Sequence, residues 1–179
     1  MLFLILKNTK QYVRRITTRG ITTQGITNSV KTRLKKAGFT LPIPGSPKGS
    51  YVQTLRVGNL LYTSGHISTN IDGSFITGKI TTIDKGQKAA ESVGLSLLAT
   101  VNNALDGDLD NISKVVKLTG FVNCHDDFID HPSVLNGCSD LMTTVFGSVV
   151  GKHVRSAVGV SSLPLDVSVE IEAIFEVKL

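Results

Sequence analysis

Between residues 84 and 105 the apolar side chains fall on one stripe. Ala90, Val93, Leu97, Val101 and Ala104 recur at three- and four-residue intervals, Leu98 and Leu105 widen the band, and Lys88, Glu91 and Asn102 lie off it. That period predicts an amphipathic helix. Asp84 followed by Gln87 supplies a capping box, and Asp106-Gly107-Asp108 ends the run. A shorter helix is expected over 133–147, led by Pro132, with Val134, Leu141, Val145 and Phe146 to bury. Val30, Leu34 and Ala37 predict another short one, stopped by Gly38.

Elsewhere the period changes to two. Tyr51–Val57 and Asn59–Ser64 read as strands joined at Gly58-Asn59, behind a linker, residues 41–50, that holds three prolines. Asp72-Gly73 marks a turn, and Lys114–Cys124 is strand-like and rich in β-branched residues. Val154–Val160 and Val167–Val177 flank the turn sequence Ser-Ser-Leu-Pro-Leu-Asp. In the last arm Val167, Val169, Ile171, Ala173, Phe175 and Val177 point one way, and Ser168, Glu170, Glu172, Ile174 and Glu176 the other. The order of elements predicts an α+β fold, a mixed sheet with two helices packed on one face, the odd-numbered face of the last strand. If the final two strands form a regular hairpin about Ser162–Leu163, Arg155 lies opposite Glu170 and Ala157 opposite Ser168. Arginine and glutamate then share the face away from the helices.

Charge divides the chain in two. Of its 19 Lys and Arg, nine lie in residues 1–38, a stretch with no acid, and the first carboxylate is Asp72. The remaining ten face all 14 acidic residues, so the +5 of the whole chain hides a body of −4. Residues 1–29, cationic and rich in Thr and Arg, have the composition of a mitochondrial transit peptide. The alternatives are a disordered basic leader and a cytoplasmic protein. The apolar patch Leu2–Leu6 is too short and too early for a secretory signal and far short of the ~18 residues a membrane span needs. Residues 30–179, one domain in size, have no Trp and little basic or stacking surface for nucleic acid.

Arg155 and Glu170 are the pair with chemistry to offer. A guanidinium holds a planar carboxylate, and a nearby carboxylate can orient or deprotonate water. An ordinary cross-strand salt bridge is the competing explanation. The spacing C-H-x5-H-x6-C from Cys124 through His125 and His131 to Cys138 matches no usual zinc arrangement, and adjacent Cys124 and His125 point apart on a strand. No phosphate-binding glycine loop, GxSxG elbow or HExxH is present.

Several segments taken together resemble the Rid/YjgF family of reactive-intermediate deaminases, also labelled endoribonuclease L-PSP proteins. They are Tyr51-Val-Gln, Gly58-Asn-Leu-Leu-Tyr-Thr-Ser-Gly65, the helix near Ala89–Ala104, Val115-Val-Lys-Leu-Thr-Gly-Phe-Val122, and above all residues 155–173, RSAVGVSSLPLDVSVEIEA. The lead into Gly38-Phe-Thr-Leu-Pro looks like the longer branch of the family. The resemblance implies a chorismate-mutase-like fold assembled as a homotrimer with clefts between subunits. It implies cofactor-free and metal-free hydrolysis of enamines and imines, such as 2-iminobutanoate, to 2-oxo acid and ammonia. By the same carry-over Arg155 clamps the substrate carboxylate, and Glu170 positions water. Tyr51, Ser64 and Asn136 line the cleft, and the Ala157 backbone meets imine and water. Ala157 stands where the well-known deaminases often carry Cys, and His66 replaces a usual Gln. The alternative of another class is a trimeric small-carboxylate-binding or chaperone-like protein without turnover. A ribonuclease finds no support in an acidic body without paired histidines.

Overall fold

The computed structural model describes residues 29–179. The leader read over 1–29 lies outside them except for Ser29, whose hydroxyl accepts from the Thr32 N–H and so caps the first helix, α1 (Val30–Lys36). Two long-range hydrogen bonds anchor α1: the Val30 N–H donates to Asp110 and the Arg33 side chain to the Val145 carbonyl.

The sheet then begins with β1 (Thr54–Val57), β2 (Leu60–Thr63) and the two-residue β3 (His66–Ile67). β1 and β2 form the expected hairpin, with Gly58 at φ 62°. The amphipathic stripe becomes α2 (Ile83–Ala104). Its start differs from the capping-box expectation: Asp84 lies inside the first turn and pairs with Lys88 at 3.1 Å, while Gln87 donates to the Ser133 carbonyl. β4 (Ile112–Asn123) leads to α3 (His131–Val150), which leaves helical geometry at Gly147, where the shorter helix was expected to stop. β5 (Val154–Val160) and β6 (Val169–Val177) complete the chain.

The strand order is β1-β2-β6-β4-β5, with β3 pairing further along β6. α2 and α3 cover the face carrying Ile171, Ala173 and Phe175, as the alternation predicted, and α1 packs against α3 as a third helix. A Cβ at Gly137 would collide with the Gln87 backbone, so glycine lets the two long helices approach closely. Phe175, Leu97, Leu118, Leu135 and Met142 are fully buried between helices and sheet. Each such side chain contributes roughly 1.5–3 kcal/mol.

A second expectation fails. β5 and β6 are not a hairpin. β5 runs parallel to β4 at the sheet edge, and β6 lies antiparallel on the other side of β4. The crossover through α3 makes the β4–β5 pair parallel. The turn Pro164–Asp166, with positive φ at Leu165 and Asp166, then carries the chain past β4 to reach β6. Arg155 therefore lies beside Leu118, and Glu170 beside Phe121.

Candidate functional site

Side-chain alternation now separates the two candidate residues. Gly120 lies against Leu135 of α3, so its neighbour Ala157 and, two residues either way, Arg155 and Gly159 also face α3. The Arg155 guanidinium donates from Nη1 to the Ser139 hydroxyl (2.8 Å) and from Nη2 to the Pro132 carbonyl (3.1 Å). Pro132, Asn136 and Ser139, spaced four and three apart, form one stripe of α3, which places Asn136 along the same seam. Arg155 has no carboxylate partner: among the described residues the one ion pair is Lys88–Asp84. The cross-strand salt bridge with Glu170 is thus absent.

Glu170 faces the other way. It alternates with fully buried Val169 and Ile171, so its carboxyl projects from the uncovered side of the sheet. There it lies over Gly65, where any Cβ would strike the carboxylate. Half-burial raises its pKa, and Glu172 on the same face adds to the shift. The Ser64 hydroxyl donates to the Val52 carbonyl (2.7 Å) and the Ser64 N–H to the Gln53 carbonyl, bringing the chain that bears half-exposed Tyr51 alongside. Beneath this group His66 is buried: Nδ1 donates to the Ser64 carbonyl (2.8 Å), and Nε2 meets the Thr100 hydroxyl (2.8 Å). Burial lowers its pKa, an effect partly opposed by the bond to the Ser64 carbonyl.

Five of the six expected residues thus form two groups, Arg155, Ala157 and Asn136 at the seam of β5 with α3, and Glu170 with Ser64 on the open face; the Tyr51 ring lies against Gly49, with its hydroxyl accepting from the Lys48 N–H. β4 lies between the two groups. Two strand spacings make ~10 Å of sheet, and the faces are opposite, so no small acid touches both groups in one chain. A groove of 490 Å³ along α1 and another of 320 Å³ near Leu41 and Asn103 are lined by neither residue.

The residue order concealed two further groupings. Cys124 Sγ lies 3.3 Å from His131 Nε2, next to Gly159, so its partner is the distant histidine and not His125. Burial raises the Cys124 thiol, and pushes that of Cys138 to about 12, leaving both protonated. Among the described residues no three His, Cys, Asp or Glu side chains gather as metal ligands. The second grouping is His153 with Ser139 and Arg155. His153 lies just before β5, two residues ahead of Arg155, with Nε2 3.0 Å from the Ser139 hydroxyl.

The model of the family described as endoribonuclease L-PSP matches residues 44–177, three quarters of the chain, a span that includes both groups of candidate residues. The chain belongs to that family. Among curated L-PSP relatives it is 39% identical to protein TCP17 of Trypanosoma cruzi, over 82% of this chain and 93% of that one. It is 31% identical to the 2-iminobutanoate/2-iminopropanoate deaminase of Dermatophagoides farinae, over 76% and 92%. It is 30% identical to the mitochondrial protein MMF1 of Saccharomyces cerevisiae, over 78% and 87%. The crystal structure of Atu1372 from Agrobacterium tumefaciens, of unknown function, superposes with a TM-score of 0.77 at 41% identity, covering 83% of this chain and 92% of that one. These matches support the α+β L-PSP fold with a mixed sheet. Among the described residues no helix is long and apolar enough to cross a membrane.

Proposed function

We propose that this L-PSP protein hydrolyses small 2-imino acids, and their enamine tautomers, to 2-oxo acids and ammonia in clefts between the subunits of a homotrimer. The observation that carries this reading is Arg155: a guanidinium oriented by α3, paired with no carboxylate among the described residues, and with three of its five N–H donors unengaged by α3. Such a group is prepared for a ligand carboxylate. Glu170, which shares no face with it, meets that ligand from a neighbouring copy packed on the uncovered sheet face, where Tyr62, Leu55, Val57 and Val158 are exposed.

The chemistry asks little beyond positioning. An imine carbon is already electrophilic; water adds to it, the nitrogen gains a proton, and the carbinolamine collapses to ketone and ammonia. Glu170 accepts the water proton and returns it to the departing nitrogen, roles helped by a carboxyl whose pKa is raised toward neutrality. Arg155 fixes the carboxylate, the Ala157 backbone and Asn136 border the imine, and Ser64 and Tyr51 close the other side. No cofactor enters. The 31% identity to a named 2-iminobutanoate deaminase supports this substrate class.

The test generates 2-iminobutanoate in situ and follows 2-oxobutanoate release with and without protein. Arg155→Ala should lower kcat/KM on the order of 100-fold, the worth of charge-assisted hydrogen bonds. No acceleration by the wild type would overturn the reading; saturable 2-oxobutanoate binding without turnover would establish the carboxylate-binding alternative instead. For location we propose the mitochondrial matrix, supported by the acid-free leader and by the mitochondrial relative MMF1. A reporter carrying residues 1–35 that stays in the cytosol refutes this.

A further inference from the structure

His153 is the residue this fold adds to the arginine clamp. Its Nδ1 lies 2.7 Å from the Gly151 carbonyl, an atom that only accepts, so Nδ1 carries a proton. Nε2 lies 3.0 Å from the Ser139 hydroxyl, and Ser139 Oγ accepts from Arg155 Nη1 at 2.8 Å. A neutral ring with its proton on Nδ1 has a bare lone pair on Nε2. The Ser139 hydroxyl proton turns to that lone pair, which aims the oxygen's own lone pairs at the guanidinium. Every donor and acceptor in the chain Gly151–His153–Ser139–Arg155 is then matched.

We propose that His153, acting through Ser139, is a positioning residue that holds the Arg155 guanidinium in its ligand-ready orientation. The role rests on reading Arg155 as the carboxylate clamp. The groups around the ring agree with it. Burial lowers the His153 pKa, and two nearby cations, Arg155 at the start of β5 and Lys114 from β4, lower it further, against the Gly151 carbonyl bond. A positive ring here would lose the acceptor that orients Ser139 and stand beside a second cation. Neutrality and a fixed tautomer are what the site needs.

Two readouts test the relay, one of them independent of any ligand. Nitrogen-15 spectra of the imidazole at pH 7 should show a protonated Nδ1 and a bare Nε2; the opposite tautomer or a charged ring overturns the proposal. Rotation of the Arg155 guanidinium about Nε–Cζ should be slow in the wild type and about fivefold to tenfold faster in His153→Leu and Ser139→Ala, the effect of one lost hydrogen bond. His153→Gln, which retains an acceptor for Ser139, should stay within about twofold of wild type. The double variant should be no worse than Ser139→Ala alone. Multiplying losses, or His153→Gln as fast as His153→Leu, overturns the relay, and equal melting temperatures exclude simple misfolding. Calorimetric affinity for 2-oxobutanoate should follow the same order. Should Arg155→Ala bind 2-oxobutanoate as well as the wild type, the clamp reading fails, while the tautomer and rotation data still decide the relay.

Discussion

Arg155 and Glu170 occupy opposite faces of one sheet, and each is prepared in a different way. The arginine sits on an edge strand and is held by a helix: it donates to the Ser139 hydroxyl and the Pro132 carbonyl, and Ser139 in turn meets His153. The glutamate sits mid-sheet on the uncovered face, set by a glycine that leaves room for it and by partial burial that raises its pKa. One half is organised by hydrogen bonds and the other by desolvation. Direction matters for holding a planar carboxylate, whereas proton affinity matters for handling water.

The largest effect that would break this division is expected in turnover. Glu170→Gln should lower kcat by about 10²–10⁴ while leaving 2-oxobutanoate affinity nearly unchanged, whereas Arg155→Ala should weaken that affinity. Equal losses in binding would show that the two halves do not divide the work. Mixing the two inactive variants sharpens the same point. If one site draws Arg155 and Glu170 from neighbouring copies of a ring, random reassembly at equal ratio restores about a quarter of wild-type activity. A site within one chain restores none.

Smaller effects concern stability. Gly65→Ala puts a Cβ where the Glu170 carboxylate lies, so the flexible side chain must turn aside, and it should cost no more than about 1 kcal/mol, read as a small fall in the denaturant midpoint. Pairing it with Glu170→Gly should recover most of that loss; no recovery means the strain lies elsewhere. pH gives the finest test. The Glu170 pKa is raised in the fold, so its contribution is most favourable below about pH 4.5 and is lost as pH rises through the folded value. Glu170→Gln should therefore melt higher than wild type at pH 7, with the difference vanishing toward pH 4. The pKa values of His66 and His153 are lowered, so each contributes stability above pH 6.5 that is lost as pH falls through its folded value. His66→Gln should flatten the melting profile between pH 7 and pH 5.

Much of the architecture was legible in the chain. α2 was announced by seven apolar residues at helical spacing, and the face of β6 that meets the helices by strict alternation from Val167 to Val177. Arg155 and Glu170 stood out as chemistry, and the closeness of His153 to Arg155 along the chain was visible. That of Ser139 was not, because nothing local says which turn of α3 lies over which rung of β5.

Local periodicity decides which way a side chain points relative to its own strand, because pleat and helix pitch are properties of the backbone. It does not decide which strand comes next. β5 and β6 are neighbours along the chain, and a hairpin between them satisfies every local rule. The crossover through α3 set β5 parallel to β4, and two positive-φ residues carried β6 to the far side. Only that arrangement of the sheet put Arg155 and Glu170 on opposite faces instead of side by side on one.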